Sequence, residues 1–153
     1  MRVAVVHGPN LNLLGQREPL VYGPDTLETI NVRLSEEGRA LGVEIESFQA
    51  NLEGALIDYV QEAAGRVDGF VVNAGGYTHT SVALLDALVG VGKPYVEVHI
   101  SNVAARENFR HQSLLSAKAV GVVTGFGPAS YSLGLTGLVG RLRRDRDVAG
   151  GRA

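Results

Sequence analysis

Cysteine and tryptophan are both absent from the 153 residues, and methionine occurs once. Without thiols there is no disulfide, no thiolate nucleophile and no cysteine-bound zinc, which agrees with a reducing compartment. Charge is sparse and balanced. Fourteen Lys and Arg oppose 16 Asp and Glu, and a net charge of −2 gives no electrostatic pull toward nucleic acid or an acidic membrane. The four histidines, His7, His79, His99 and His111, stand at no helical or strand spacing from one another. The carboxylates near them, Glu97 and Glu107, would supply only isolated pairs, so no metal is expected. No apolar run approaches the ~20 residues of a membrane span. Met1–Val6 enters a strand rather than a charged-then-apolar leader. These absences predict a soluble, cytoplasmic protein.

What is present is an alternation of short apolar runs with helical patterns. Val3–Val6, Val43–Phe48, Gly69–Val72, Tyr95–Val98 and Ala119–Thr124 read as strands covered on both faces. Between them, helices are predicted over Thr26–Leu41, Leu56–Ala64 and Val82–Val89, with a weaker pattern after the fourth strand and a last helix over Ser130–Leu142. The first opens on Asp25-Thr26-Leu27-Glu28, a capping-box pattern. This order predicts one α/β domain over residues 1–142: a doubly wound, flavodoxin-like five-stranded parallel sheet flanked by helices. The Arg-rich segment 143–153 is expected to be a solvated, flexible tail.

Such a sheet binds ligands at the carboxyl ends of its strands, where strand order reverses. Five loops therefore matter: Gly8-Pro9-Asn10 and a long continuation, Gln49-Ala50-Asn51, Asn73–Ser81, His99-Ile100-Ser101-Asn102, and Gly125-Phe126-Gly127. The first is far longer than the two to six residues that a turn into a helix requires. It carries Asn10, Arg17 and Tyr22. A tyrosine serves as a base at neutral pH only beside a cation, and Arg17 is the nearest. The plain alternative from spacing alone is a Tyr22 packed on the Leu and Pro of its own loop and a solvated Arg17.

Glu97 and His99 lie two apart on a strand, so their side chains share a face. A carboxylate there orients the imidazole and supports its protonated form, as a general acid requires; a satisfied ion pair at a buried strand end is the plain alternative. After His99, the backbone of Ile100-Ser101-Asn102 is placed to hold an anion. Gly75 and Gly76 let their loop approach a ligand closely. Thr78 or Thr80 would cap the following helix, with His79 near its positive end, while Asp86 on that helix reads as a solvated or interface residue. In "AARENFRHQS", Arg106 and Arg110 flank Glu107 and share a face if the segment is helical, which reads either as surface salt bridging or as Arg110 with His111 reaching a ligand near the strand-four loop.

Five ordered blocks then give a family. "GPNLNLLGQREPLVYG", "FQANLEGALID", "NAGGYTHTSVALLDAL", "EVHISN" and "RENFRHQS" make residues 1–142 closely similar to the type II 3-dehydroquinate dehydratases. The resemblance implies a hydro-lyase that removes water from 3-dehydroquinate to give 3-dehydroshikimate through an enolate, by anti elimination, with neither metal nor organic cofactor. It assigns Tyr22 as the base for the C2 proton and Arg17 as the group that lowers its pKa. Asn10 would act on the enolate through an ordered water. His99 would be the acid at the C1 hydroxyl, with Glu97 as its partner. Asn73, Gly75, His79, Ile100, Ser101 and Arg110 would bind substrate. Asp86 would reach a neighbouring subunit's site within trimers built into a dodecamer. Leu85 departs from the Arg that the family commonly carries before that Asp. Two other classes of function compete with this reading, a non-catalytic flavodoxin-like binding module and a Schiff-base dehydroquinase. Lys93 and Lys118, the only lysines, stand at no strand's carboxyl end, which disfavours the second.

Overall fold

Alternation within the Val-rich first strand decides the layers. The computed structural model describes residues 1–16, 20 and 24–151. In β1 (Arg2–His7), Val3 and Val5 face one side of the sheet while Ala4 and Val6 face the other, and all four are fully buried. Further strands follow as β2 (Glu44–Gln49), β3 (Gly69–Asn73), β4 (Tyr95–His99) and β5 (Gly121–Thr124). All pair in parallel, in the order β2-β1-β3-β4-β5. This is the doubly wound, flavodoxin-like sheet that the sequence predicts.

Among the described residues, four α-helices cover it: α1 (Leu27–Ala40), α2 (Glu53–Ala63), α3 (Val82–Gly90) and α4 (Ala129–Gly150). On one face Ile30 and Leu34 of α1 and Tyr131, Leu135 and Leu138 of α4 pack on Val3, Val5, Val71 and Val98. On the other, Leu56 and Val60 of α2 and Leu84 and Leu88 of α3 pack on Val6, Phe70 and Val72. In α4 the buried positions 131, 135, 138 and 142 recur at the helical period, which is why the segment commits to a helix. Among the described residues no helix is long and apolar enough to cross a membrane.

Several elements differ from expectation for identifiable reasons. Burial on both faces holds for β1, β3 and β4, whereas β2 and β5 are edges: Glu44 and Val122 are exposed. Thr26 does cap α1, accepting from the Thr29 N–H at 3.2 Å, so the third helical position is Thr29 and Glu28 closes no capping box. Helix α3 is capped by Ser81, which accepts from the Leu84 N–H at 2.9 Å, and not by Thr78 or Thr80. No α-helix follows β4; two single 3-10 turns, Val103–Ala105 and Asn108–Arg110, occupy the segment. Helix α4 runs through Gly150, well past Leu142. Arg143 donates to the Leu41 carbonyl at 2.6 Å, and Arg146 pairs with Asp68 at 2.9 Å.

The chain leaves β1 toward β2 on one side and returns to β3 on the other, so the crevice opens where β1 and β3 end side by side. There His7 is in register with Asn73, and the Gly8 N–H donates to the Asn73 carbonyl at 2.7 Å. A Cβ on Gly8 would lie 2.2 Å from the Ala74 carbonyl oxygen, a backbone atom that cannot step aside. We therefore expect Gly8→Ala to lower the free energy of unfolding by about 1–3 kcal/mol or more, read as a lower denaturant midpoint. An unchanged midpoint would mean that the two strand ends are not held at this distance.

Candidate active site

Above that crevice lies a cavity of about 170 Å³, lined by the ends of β1, β3 and β4 and by the segment after β4. Its walls include Asn10, Asn73, Gly75, His79, His99, Ile100, Ser101 and Arg110, eight of the residues that the sequence singles out. Arg106, Gly76 and Val103 join them. Glu97 stands directly behind His99. Asp86 lies elsewhere, exposed on α3 and not on the cavity wall. Tyr22 and Arg17 lie outside the described residues.

The strand geometry brings Glu97 and His99 together. His99 Nε2 is 2.7 Å from Glu97 Oε1, so Nδ1 is the ring nitrogen that Glu97 leaves to other partners. Glu97 itself is fully buried, and an isolated carboxylate in that position would cost several kcal/mol. Three hydroxyls prevent this: Thr78 and Ser113 donate to Oε1 at 2.6 and 2.7 Å, and Ser116 donates to Oε2 at 2.6 Å. Burial pushes the Glu97 pKa up, but the hydrogen bonds from His99, Ser116, Thr78 and Ser113 outweigh it and bring the carboxyl down to about 2. Glu97 is thus a fixed negative charge at neutral pH. It stands 2.7 Å from the imidazole of His99.

Asn10 has φ of 69°, the left-handed conformation that Asn tolerates better than most residues. Its N–H donates to Asn51 Oδ1 at 3.0 Å, and Gln49 Nε2 donates to the same oxygen at 3.0 Å and to the Gly8 carbonyl at 3.2 Å. The loop after β2 therefore braces the turn after β1. His79 sits in the 3-10 turn Gly75–His79, where its Nδ1 donates to the Gln112 carbonyl at 2.6 Å. That bond leaves Nε2 as the ring atom available to a ligand.

Two cations close the wall, although not on one helical face. Glu107 bridges them, at 2.9 Å from Arg110 Nε and 3.5 Å from Arg106 Nε. The Glu107 side chain is half exposed, whereas both arginine side chains are mostly covered. With His79 and His99 they form a wall suited to a small polyhydroxylated anion. His111 turns away, its Nε2 bonded to the Arg106 carbonyl at 2.8 Å.

Local reading missed Arg106 as a wall residue, and it missed Thr78, Ser113 and Ser116 as the cradle of Glu97. Arg106 was within reach, since it shares its short segment with Arg110. The hydroxyls had no local signal, because they meet Glu97 from 16 to 19 residues away.

Comparison with known proteins gives the family. The sequence model of the family Dehydroquinase class II matches residues 1–139. A protein of Synechococcus sp. named 3-dehydroquinate dehydratase is 57% identical over 145 residues, covering 95% of this chain and 99% of its own. A protein of the same name from Prochlorococcus marinus is 55% identical over 146 residues, covering 95% and 98%. Among solved structures, the type II dehydroquinase of Butyrivibrio crossotus superposes with a TM-score of 0.88 at 42% identity, over 90% of this chain and 97% of that one. The enzyme of the same type from Propionibacterium acnes gives 0.86 at 41%, over 90% and 95%. By its matched length, its sequence identity and its fold, the chain belongs to the class II dehydroquinase family.

Proposed function

We propose that this protein is a 3-dehydroquinate dehydratase, a hydro-lyase that converts 3-dehydroquinate into 3-dehydroshikimate and water without metal or organic cofactor. The observation that carries the reading is the buried Glu97–His99 pair at the wall of a cavity flanked by Arg106 and Arg110. Dehydration next to a ketone needs a base for the C2 proton, stabilisation of the enolate oxygen, and an acid for a poor leaving group.

In this reading Tyr22, held as phenolate beside Arg17, takes the C2 proton, and the electron pair it leaves forms the enolate. Asn10 stabilises that enolate through a water. The enolate then collapses to the enone, and the C1 hydroxyl leaves as water with a proton from His99. Protonated Tyr22 and neutral His99 return to their starting forms by proton exchange with solvent. Glu97 keeps His99 oriented and offsets its charge. Ile100, Ser101 and Arg110 hold the substrate carboxylate and neighbouring oxygens, while Asn73, Gly75 and His79 hold hydroxyls. Loss of proton and hydroxide from opposite faces makes the elimination anti. The product serves aromatic biosynthesis or, in the catabolic direction, quinate breakdown.

We further propose that Asp86 completes the site of a neighbouring copy, within trimers assembled into a dodecamer in the cytoplasm. The exposure of Asp86 on α3, away from its own cavity, is compatible with that role.

The direct test is to add 3-dehydroquinate to the purified protein in chelating buffer and follow the ultraviolet absorbance of the conjugated enone. A rise is expected. No rise from folded, assembled protein would remove this substrate from consideration.

A further inference from the structure

A second polar network runs behind the cavity from Gly75 and Asn73, and beyond Asn73 the proposed reaction makes no use of it. It begins at Gly75, whose N–H donates to Asn73 Oδ1 at 3.2 Å. Asn73 Nδ2 donates to the Tyr131 hydroxyl at 2.9 Å. That hydroxyl is 2.8 Å from His7 Nδ1, and His7 Nε2 is 2.9 Å from Asn31 Oδ1. His7 and Tyr131 are fully buried and Asn73 nearly so. The network joins β1, β3, α1 and α4, and 124 residues of chain separate His7 from Tyr131.

Its direction is forced from one end. A backbone N–H can only donate, so the atom of Asn73 facing Gly75 is the oxygen and the atom facing Tyr131 is the nitrogen. The Tyr131 oxygen then accepts from Asn73 and spends its one O–H on His7 Nδ1. Burial pulls the His7 pKa down to about 4, despite the hydrogen bond to Asn31, so the ring is neutral near pH 7 with a single N–H. That proton sits on Nε2 and points to Asn31. Every donor thus points from the cavity toward α1, and among the described residues no buried side-chain polar atom lacks a partner.

We propose that Tyr131 and His7, backed by Asn31, are positioning residues that lock the carboxamide of Asn73 with its oxygen on the Gly75 side of the cavity wall. Asn73 then presents an acceptor, suited to a ligand hydroxyl and unsuited to a carboxylate or ketone oxygen. A carboxamide free to rotate would offer either end and discriminate poorly. The network therefore sets specificity at this position, for a polyhydroxylated substrate of the class proposed above. The role of Asn73 toward substrate rests on that reading; its locked orientation does not.

Tyr131→Phe keeps the ring and removes only the hydroxyl, and two readouts test it. In ¹⁵N-labelled protein, the Asn73 side-chain amide protons should exchange with solvent at least about tenfold faster than in wild type. The KM for 3-dehydroquinate should rise about two- to tenfold, with a smaller change in kcat. Added to Asn73→Ala, the same substitution should raise KM no further. Unchanged amide exchange, or an equal rise in KM in both backgrounds, overturns the proposal. If Tyr131→Phe does not fold, Asn31→Ala removes the last acceptor from the far end and is judged by the same readouts. If wild-type protein fails to turn over 3-dehydroquinate, the proposed reaction falls, and amide exchange alone decides the positioning.

Discussion

Replacing His99 by Asn should lower kcat for 3-dehydroquinate by about 10²–10⁴-fold, the usual contribution of one general acid, with little change in KM. The fold should survive, because the geometry separates the acid from the stability of its partner. Without the imidazole, Glu97 still accepts from Thr78, Ser113 and Ser116, so no uncompensated charge is left buried. Steady-state kinetics and a denaturation midpoint on the same preparation measure both halves. A kcat within a few-fold of wild type would remove His99 as the acid; a collapsed midpoint would mean that the loss is structural. Tyr22→Phe should match the drop in kcat. The double variant should fall well short of the product of the two losses, because a base without an acid has little left to assist.

The residues that make this site differ in how far local pattern reveals them. Glu97 and His99 were legible because a strand's period of two puts them on one face, and the apolar run Tyr95–Val98 makes the strand plain. The strand-end loops were legible as a group, since parallel order alone brings their tips to one edge. The segment after β4 was not. Arg106 and Arg110 stand at helical spacing, yet Asn102 caps a single 3-10 turn by accepting from the Ala104 N–H at 3.2 Å. Arg106 is then extended, with φ of −100° and ψ of −166°. A regular helix would fix both arginines to one face; the broken path lets both reach the cavity with Glu107 between them. His7 was legible only as the end of a strand. Its partners Asn31 and Tyr131 lie 24 and 124 residues away, and no periodicity links them. The long first loop was singled out by its length and by Arg17 and Tyr22, which lie outside the described residues.

Acid should unfold this protein in two separable stages, the first set by His7. Its folded-state pKa of about 4 lies below the ordinary value of 6.5. Between those values the unfolded chain binds a proton that the folded one refuses. Stability should therefore fall with pH by about 1.4 kcal/mol per unit over that window, for a total of order 3 kcal/mol. Above pH 6.5 this group has no effect, because neither state carries the proton. Glu97 acts in the next window, between its ordinary 4.5 and about 2 in the fold. Its ionised form is the hydrogen-bonded one, so the stability it adds is complete above pH 4.5 and disappears as pH falls toward 2. His7→Gln separates the two. Losing the Tyr131 and Asn31 contacts should make the variant less stable at pH 7. Its stability should nevertheless change less with pH between 6.5 and 4 than that of wild type, by one proton's worth of slope. Below pH 4 the two curves should run parallel, since Glu97 is present in both. Urea titrations at half-unit intervals measure those slopes, and identical slopes above pH 4 would show that His7 is not the group that refuses the proton. In β1 the run of four buried apolar residues Val3–Val6 ends on a buried histidine, and the acid cost is the thermodynamic trace of holding that ring neutral between Asn31 and Tyr131.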